Sequence, residues 1–219
     1  VNYYGQLSNI KYEHIILDNV QAFFEKPIDG VDTIYTCRKY FGVTDGAYLY
    51  SDAALNRELG QDESSSRITY LAGRLEKSGA DFYSAYQENE NRLDSLPLMQ
   101  MSAFTENILK SIDYESVQKR REDNFSFLHE HLGKINKLRV RMPDGPFAYP
   151  FMIDRGGLIR KELQLKKIYI AKLWPNVVSG IEGEIAEEIL PLPCDQRYTR
   201  KEMCIVIDYI LNALGGKMK

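Results

Sequence analysis

HIILDNVQAFF, residues 14–24, sets an aspartate at the end of an apolar run. Ile15, Ile16 and Leu17 form the short continuous hydrophobic stretch that fills a buried parallel strand. Asp18 then carries a charge where burial penalises one, unless a positive group or a capping role meets it. Gln21 follows three places on. The next stretch, DTIYTCRKYFGVTDGAYLYS over residues 32–51, has the same grammar: strand-like DTIYTC, a glycine-containing loop with Lys39, then strand-like GAYLYS. VNYYG, residues 1–5, reads as another strand ending in a glycine turn, and NVQAFFE as a helical turn or two. Short strands with polar and acidic residues at their carboxyl ends predict the edge of an α/β sheet. In such sheets ligands sit beyond the carboxyl ends of the strands.

Helical character begins near residue 52. AALNREL, residues 53–59, is one candidate. Ile68, Leu71, Leu75, Phe82, Tyr86 and Leu93 share one helical face, weakened by Gly73 and Gly79. SLPLM with Pro97 interrupts, and a helix is expected near 102–112. Another, over 114–136, sets Phe125, Leu128, Leu132 and Ile135 on its buried face and QKRRED, residues 118–123, on its solvated side. Beyond it, KLRVRM (137–142), FAYPFMID (147–154) and IYIAKLW (168–174) read as strands, the second marked as an edge or bulge by Pro150. GGLIRKELQLKK (156–167) reads as a helix. The last helix starts at Thr199 with Glu202 three residues on, a capping box, and ends in glycines. Its expected buried face is Met203, Val206, Ile207, Ile210 and Leu214. Two domains follow: residues 1–112, part of a larger α/β domain, and residues 113–219, a long helix leading into a small α+β domain.

The bulk composition excludes several classes. The chain has 219 residues, 44% hydrophobic, with formal net charge −3 and a sequence pI near 5.7. No basic run suits nucleic acid, and no apolar run approaches the roughly 18 residues that span a bilayer. No signal peptide is recognisable. Three cysteines, Cys37, Cys194 and Cys204, lack CxxC spacing and read as reduced thiols of a cytoplasmic protein. The chain opens at Val1 in an apparent strand, so it is expected to be a piece of a longer polypeptide.

An aspartate and a lysine beyond neighbouring strand ends match the needs of pyridoxal phosphate. That cofactor forms a Schiff base with a lysine, and its pyridine nitrogen needs a carboxylate to stay protonated. The residues around them resemble the DegT/DnrJ/EryC1/StrS family of pyridoxal-phosphate-dependent sugar aminotransferases. DNVQ is similar to the family's D-x-x-Q element, and YTCRKYFGVTDGAYL to the segment with the reactive lysine. KRREDNFSFLHEHL is similar to the family helix with an R-x-x-N-F-x-x-L pattern. AYPFMID, IYIAKLWP and LPLPCDQRYTRKEM resemble the small C-terminal domain. The resemblance covers nearly the whole chain, but only the back part of a family member.

The resemblance implies a fold-type-I pyridoxal-phosphate transferase of α/β class. Lys39 is then the catalytic lysine, Asp18 the partner of the ring nitrogen, Gln21 a neighbour of the ring and its phenolic oxygen, and Thr36 a phosphate contact. The implied activity moves an amino group from glutamate to a nucleotide-linked keto-sugar. The implied assembly is a homodimer, with helices between 64 and 112 as part of the interface; neither nucleic acid nor membrane is a partner. Two departures stand out. TDGA, residues 44–47, replaces the family's G-E-G-G, and the family's front portion, which supplies a helix N-terminus for the phosphate and an aromatic stacked on the ring, is not among these residues.

Other readings stay open at this level. Asp18 is also a plausible helix N-cap, Lys39 a solvated loop lysine, and Gln21 a polar residue facing water. Tyr40 and Phe41 read as packing, and Cys37 has no histidine partner to make it a catalytic thiol. His129 and His131, two apart on a helix, face different ways and suit no metal. WPNV, residues 174–177, is a candidate domain-closing or substrate-side loop. The alternative functions are a non-catalytic relative serving dimerisation or regulation, and another pyridoxal-phosphate enzyme of the same fold.

Overall fold

Ile16–Asp18 forms strand β1, which pairs in parallel with β2, Asp32–Thr36; β3, Ala47–Tyr50, runs antiparallel to β2 on its other side. These strands belong to a computed structural model that describes residues 1–7 and 13–215. The chain divides into two compact units, separated between Asp113 and Tyr114. The first holds residues 13–113. The second holds residues 114–215 together with residues 2–7, which the sequence reading had assigned to the first.

Three strands, with short connections, leave the first unit to be closed by aromatic side chains. Phe23 meets Tyr40, Phe41 and Tyr35, with ring centroids 5.4, 5.0 and 6.1 Å away. Each such pair contributes about 0.5–1.5 kcal/mol beyond its buried area. Tyr40 and Phe41 are buried in this cluster, which accounts for them as packing. NVQAFFE forms turns rather than a helix. Asn19 N–H donates to the Ile34 carbonyl at 2.9 Å, so the chain leaves β1 while still bonded to β2.

The helices of this unit are shorter than the apolar period suggests. Thr69–Gly73 forms α1, Tyr83–Ser95 forms α2 and Ala103–Lys110 forms α3. AALNREL is not helical, and the single face expected over residues 68–93 is broken after Gly73. Past the break the chain folds back on itself: a Cβ on Gly73 would lie 2.1 Å from the Phe82 ring, so Phe82 packs directly over the glycine. Ser102 caps α3, its Oγ accepting the Thr105 amide at 3.1 Å.

In the second unit, α4 (Tyr114–Leu132) lays Phe125, Leu128 and Leu132 into a core against β4 (Ala148–Met152). Then come α5 (Gly156–Leu165), α6 (Gly180–Glu188), β5 (Ile189–Pro193) and α7 (Arg200–Ala213). β4 and β5 pair antiparallel, with Pro150 opposite Pro191. Neither proline has an N–H to give, and facing each other at a non-hydrogen-bonded position they cost the ladder nothing. Thr199 and Glu202 form the expected capping box of α7. Met203, Val206, Ile207 and Ile210 are buried as expected, whereas Leu214 is exposed.

Three expected strands of this unit do not form. VNYYG folds as a 3-10 turn over Tyr3–Gly5, with Tyr4 at φ 57°. KLRVRM forms no ladder among the described residues: Lys137 N–H donates to the Met152 carbonyl of β4 at 2.9 Å, and a side chain serves the backbone of Arg141. Gln6 Oε1 accepts the Arg141 amide at 2.9 Å, and Gln6 Nε2 donates to the Arg141 carbonyl at 3.0 Å. IYIAKLW likewise packs side chains without pairing: Ile170 enters the core, and Trp174 sets its ring against Tyr3 at 5.0 Å.

The solvated face expected for α4 is corrected at one position. Arg121, within QKRRED, is 1% exposed. Its Nε donates to Gln196 Oε1 at 2.8 Å and its Nη1 to the Pro146 carbonyl at 2.9 Å. One turn on, Asn124 Nδ2 donates to the carbonyls of Cys194, Asp195 and Tyr198 at 3.1–3.3 Å. The R-x-x-N spacing thus puts two polar side chains on one face of α4 and fastens the turn that leads into α7.

Candidate active site

Asp18 is the last residue of β1 and pairs across to Ile34, so β2 continues two residues further, to Thr36. Because the strands are parallel, Asp18, Thr36 and the loop after β2 all lie at one edge of the sheet. Asp18 is half-buried, and its Oδ1 accepts the Val20 amide at 2.9 Å. This bond shapes the turn after β1, but no helix follows for Asp18 to cap. It leaves the second carboxylate oxygen for another partner. Gln21, in that turn, is buried, and its Oε1 has no hydrogen-bond partner among the described residues.

The loop bearing Lys39 is held at several points. Cys37 N–H donates to the Gly46 carbonyl at 3.1 Å, closing the loop's ends, while Tyr40 and Phe41 N–H both return to the Cys37 carbonyl. From α2, Asn89 Nδ2 donates to the Thr44 carbonyl at 3.2 Å and Glu90 accepts from Arg38 Nη1. Consecutive residues of one helix therefore grip the loop on either side of Lys39. From α3, Ser102 N–H donates to Asp45 Oδ2 at 2.7 Å, and the Ser102 and Thr105 hydroxyls donate to Asp45 Oδ1. Gly46 then adopts φ +104°, and a Cβ there would stand 3.0 Å from Thr105 Cγ2.

Electrostatics separate the groups of this loop. Lys39 reaches solvent, yet the neighbouring protein lowers its pKa below the ordinary lysine value. Desolvation is the largest cause; Asp18 opposes it and Arg38 adds to it. Asp18 is thus near enough to act on the Lys39 ammonium. Cys37 is fully buried, and burial, helped by Asp45, pushes its thiol up to about 12. A thiol so held is not a nucleophile at neutral pH. Burial of Asp45 disfavours its charge, but bonds from Ser102, Thr105 and Ser64 outweigh this and hold the carboxyl below the usual range.

The structure brings together Asp18, Gln21, Thr36 and Lys39 at one sheet edge. It adds Asn89, Glu90, Asp45, Ser102 and Thr105 as the frame of the lysine loop. No local sequence signal marks Glu90, which lies 52 residues from Arg38. Asp45, noted in the sequence as a departure in TDGA, anchors the start of α3. His129 and His131 turn to different partners, Tyr149 Oη and the Phe127 carbonyl. Among the described residues no His, Cys, Asp and Glu cluster is arranged to hold a metal, and no helix is long and apolar enough to cross a membrane. Comparisons with protein-family models, curated proteins and solved structures give no match.

The residues present suit one end of pyridoxal phosphate. A carboxylate ends β1 and an amine stands in the loop after β2, at the carboxyl edge of a parallel pair. Gln21, in the turn after β1, is a buried carboxamide with an unsatisfied oxygen, a polar atom that needs an explanation in a folded protein. A carboxamide turns either its oxygen or its nitrogen to a ligand. Thr36 adds a half-buried hydroxyl at the end of β2.

Proposed function

We propose that this chain carries part of the active site of a pyridoxal-phosphate-dependent aminotransferase that moves an amino group from glutamate to a nucleotide-linked keto-sugar. One observation carries the reading: Asp18 ends one of two adjacent parallel strands and Lys39 stands just beyond the other, within electrostatic reach of each other. A scaffold has no need of that pair. When bound, the cofactor supplies the electron sink that stabilises negative charge on the substrate carbon.

The chain's own groups do the rest. Lys39 would hold the cofactor through Nζ, and its amine would carry a proton to and from the substrate carbon. Its lowered pKa favours the neutral amine that this task needs. Asp18 would hold a proton on the ring nitrogen, and Gln21 and Thr36 would offer a carboxamide and a hydroxyl to the phenolic oxygen and the phosphate. The sugar class, the glutamate donor, a homodimeric assembly and a cytoplasmic setting rest on the sequence resemblance.

The test is pyridoxal phosphate added to the full-length protein, followed by borohydride reduction and peptide mass mapping. The expected result is a visible band and a reduced adduct on Lys39. Glutamate alone should then give one equivalent of 2-oxoglutarate and stop until a nucleotide keto-sugar is supplied. Continuous product from one amino acid would point to elimination instead. A full-length chain with no adduct on Lys39 would overturn the reading.

A further inference from the structure

We propose that His129 and Tyr149 form a proton-sensitive latch between α4 and β4, closed while the imidazole is neutral and opened when it is charged. Asn136 fixes the direction of the hydrogen bonds. Its Oδ1 accepts the Leu138 and Met152 amides at 3.0 and 2.9 Å. An amide nitrogen cannot accept those bonds, so the carboxamide has one orientation. Its Nδ2 therefore donates, to the Pro150 carbonyl at 2.9 Å and to Tyr149 Oη at 3.3 Å. Tyr149 is fully buried, and the acceptor left for its O–H among the described residues is His129 Nδ1, at 3.1 Å. His129 Nδ1 thus carries no proton, and the neutral ring holds its hydrogen on Nε2.

His131, two residues on, has the opposite arrangement. Its Nδ1 lies 2.8 Å from the Phe127 carbonyl, which only accepts, so Nδ1 there carries the hydrogen. Charging His131 leaves its bond in place. Charging His129 puts a hydrogen on Nδ1, facing an oxygen that already receives Asn136 and whose own O–H points back. His129 is exposed and can turn to water, whereas the Tyr149 O–H stays buried without an acceptor. The neighbours supply none. One turn away on α4 stand Phe125, Ser126, Leu132 and Gly133, and Glu130, next in the chain, is exposed and faces another way. A Cβ on Gly133 would lie 2.9 Å from the His129 ring, so the 3-10 turn Gly133–Ile135 closes against it. Lys134 in that turn is exposed and, as a cation, accepts nothing. Beyond it, Lys137 is paired with Asp154 and Glu188. From α7, Arg200 lies over Phe127, whose ring meets His131 rather than His129.

The experiment uses the whole chain at about pH 8 and about pH 5, where histidine side chains are ordinarily neutral and charged. Nitrogen NMR shifts at the higher pH, with His129 assigned by its loss in His129→Gln, should show the hydrogen on Nε2 in His129 and on Nδ1 in His131. Urea unfolding then compares the unaltered chain with Tyr149→Phe. At the higher pH, Tyr149→Phe should raise the unfolding equilibrium constant about five- to tenfold, the worth of one hydrogen bond. At the lower pH that gap should close or reverse. Hydrogen on Nδ1 of His129 at the higher pH, or an equal gap at both, would overturn the proposal. If Tyr149→Phe does not fold, the shifts of the unaltered chain decide alone.

Discussion

Asp45, six residues after Lys39, accepts the backbone amide of Ser102 at 2.7 Å and is 4% exposed. A loop carboxylate thereby caps α3 from outside the helix, while Ser102 and Thr105 donate their hydroxyls to it. The folded-state pKa lies below the unfolded value, so the stabilisation is fully present above the unfolded pKa of about 3.9. It is lost as pH falls below that value and through the folded pKa. Asp45→Asn should destabilise the protein by roughly 1.5–3 kcal/mol at neutral pH. It should also flatten the acid limb of the stability profile below about pH 4. Denaturant melts of both proteins across that range measure this; parallel profiles would argue against the role.

Asp18 and Lys39 should separate by their failures. Lys39→Ala should lose the borohydride-stable adduct altogether. Asp18→Asn should still form the adduct, because the amine remains, yet lose activity by on the order of 10²–10⁴-fold, the span of a positioned proton-holding group. Mass mapping and single-turnover kinetics on the full-length protein distinguish the two on the proposed reading. An Asp18→Asn protein with undiminished turnover would remove Asp18 from the site.

Asn124 fastens three carbonyls of the turn before α7. Asn124→Ala leaves buried acceptors without a donor and should cost roughly 1–3 kcal/mol. Urea midpoints give the measurement. A change within a few tenths of a kcal/mol would show that the turn finds other partners.

Gly156 begins α5 against the carbonyl of Glu188, where a Cβ would come within 2.2 Å of the oxygen. Backbone cannot swing aside as a side chain does. Gly156→Ala should lower stability by about 1–3 kcal/mol or more, whereas Gly60→Ala, whose Cβ meets nothing within 4 Å, should not suffer this clash. Paired thermal melts compare them.

The thiols give a third contrast. Cys37 and Cys194 are buried, each pushed up to about 12 chiefly by burial, while Cys204 is exposed. A disulfide reagent at neutral pH should find one fast thiol in the native protein and three after denaturation. Cys204→Ser should abolish the fast phase; a fast phase that persists would place Cys37 or Cys194 within reach of solvent.

Where a local pattern carries its own physical reason, the sequence was readable. The strand ending at Asp18, the β-branched DTIYT, the capping box at Thr199 and the periodic Phe125, Leu128 and Leu132 all form as predicted, although Ile16 is exposed where a buried strand was expected. The failures share a cause. VNYYG, KLRVRM and IYIAKLW have the composition of strands, but a strand needs a paired neighbour along its length, and among the described residues none forms such a ladder. Gln6 supplies the backbone partners of Arg141 in place of a strand. Arg121 was assigned to solvent from its charged surroundings, and its burial depends on Gln196 and Pro146, which arrive from remote parts of the chain.

The candidate site divides in the same way. By itself the sequence determined which groups are offered: a carboxylate at Asp18, a carboxamide at Gln21, a hydroxyl at Thr36 and an amine at Lys39, each tied to a strand end or the turn beyond it. Those placements follow from local hydrophobic patterning. Only the tertiary structure decided that β1 and β2 lie parallel and adjacent, bringing the carboxylate and the amine to one edge. It also decided that α2 and α3 grip the lysine loop through Asn89, Glu90 and the Asp45 network. Those contacts join residues some 45–60 positions apart, and no local propensity encodes them, because their energy exists only once the remote partners are packed together.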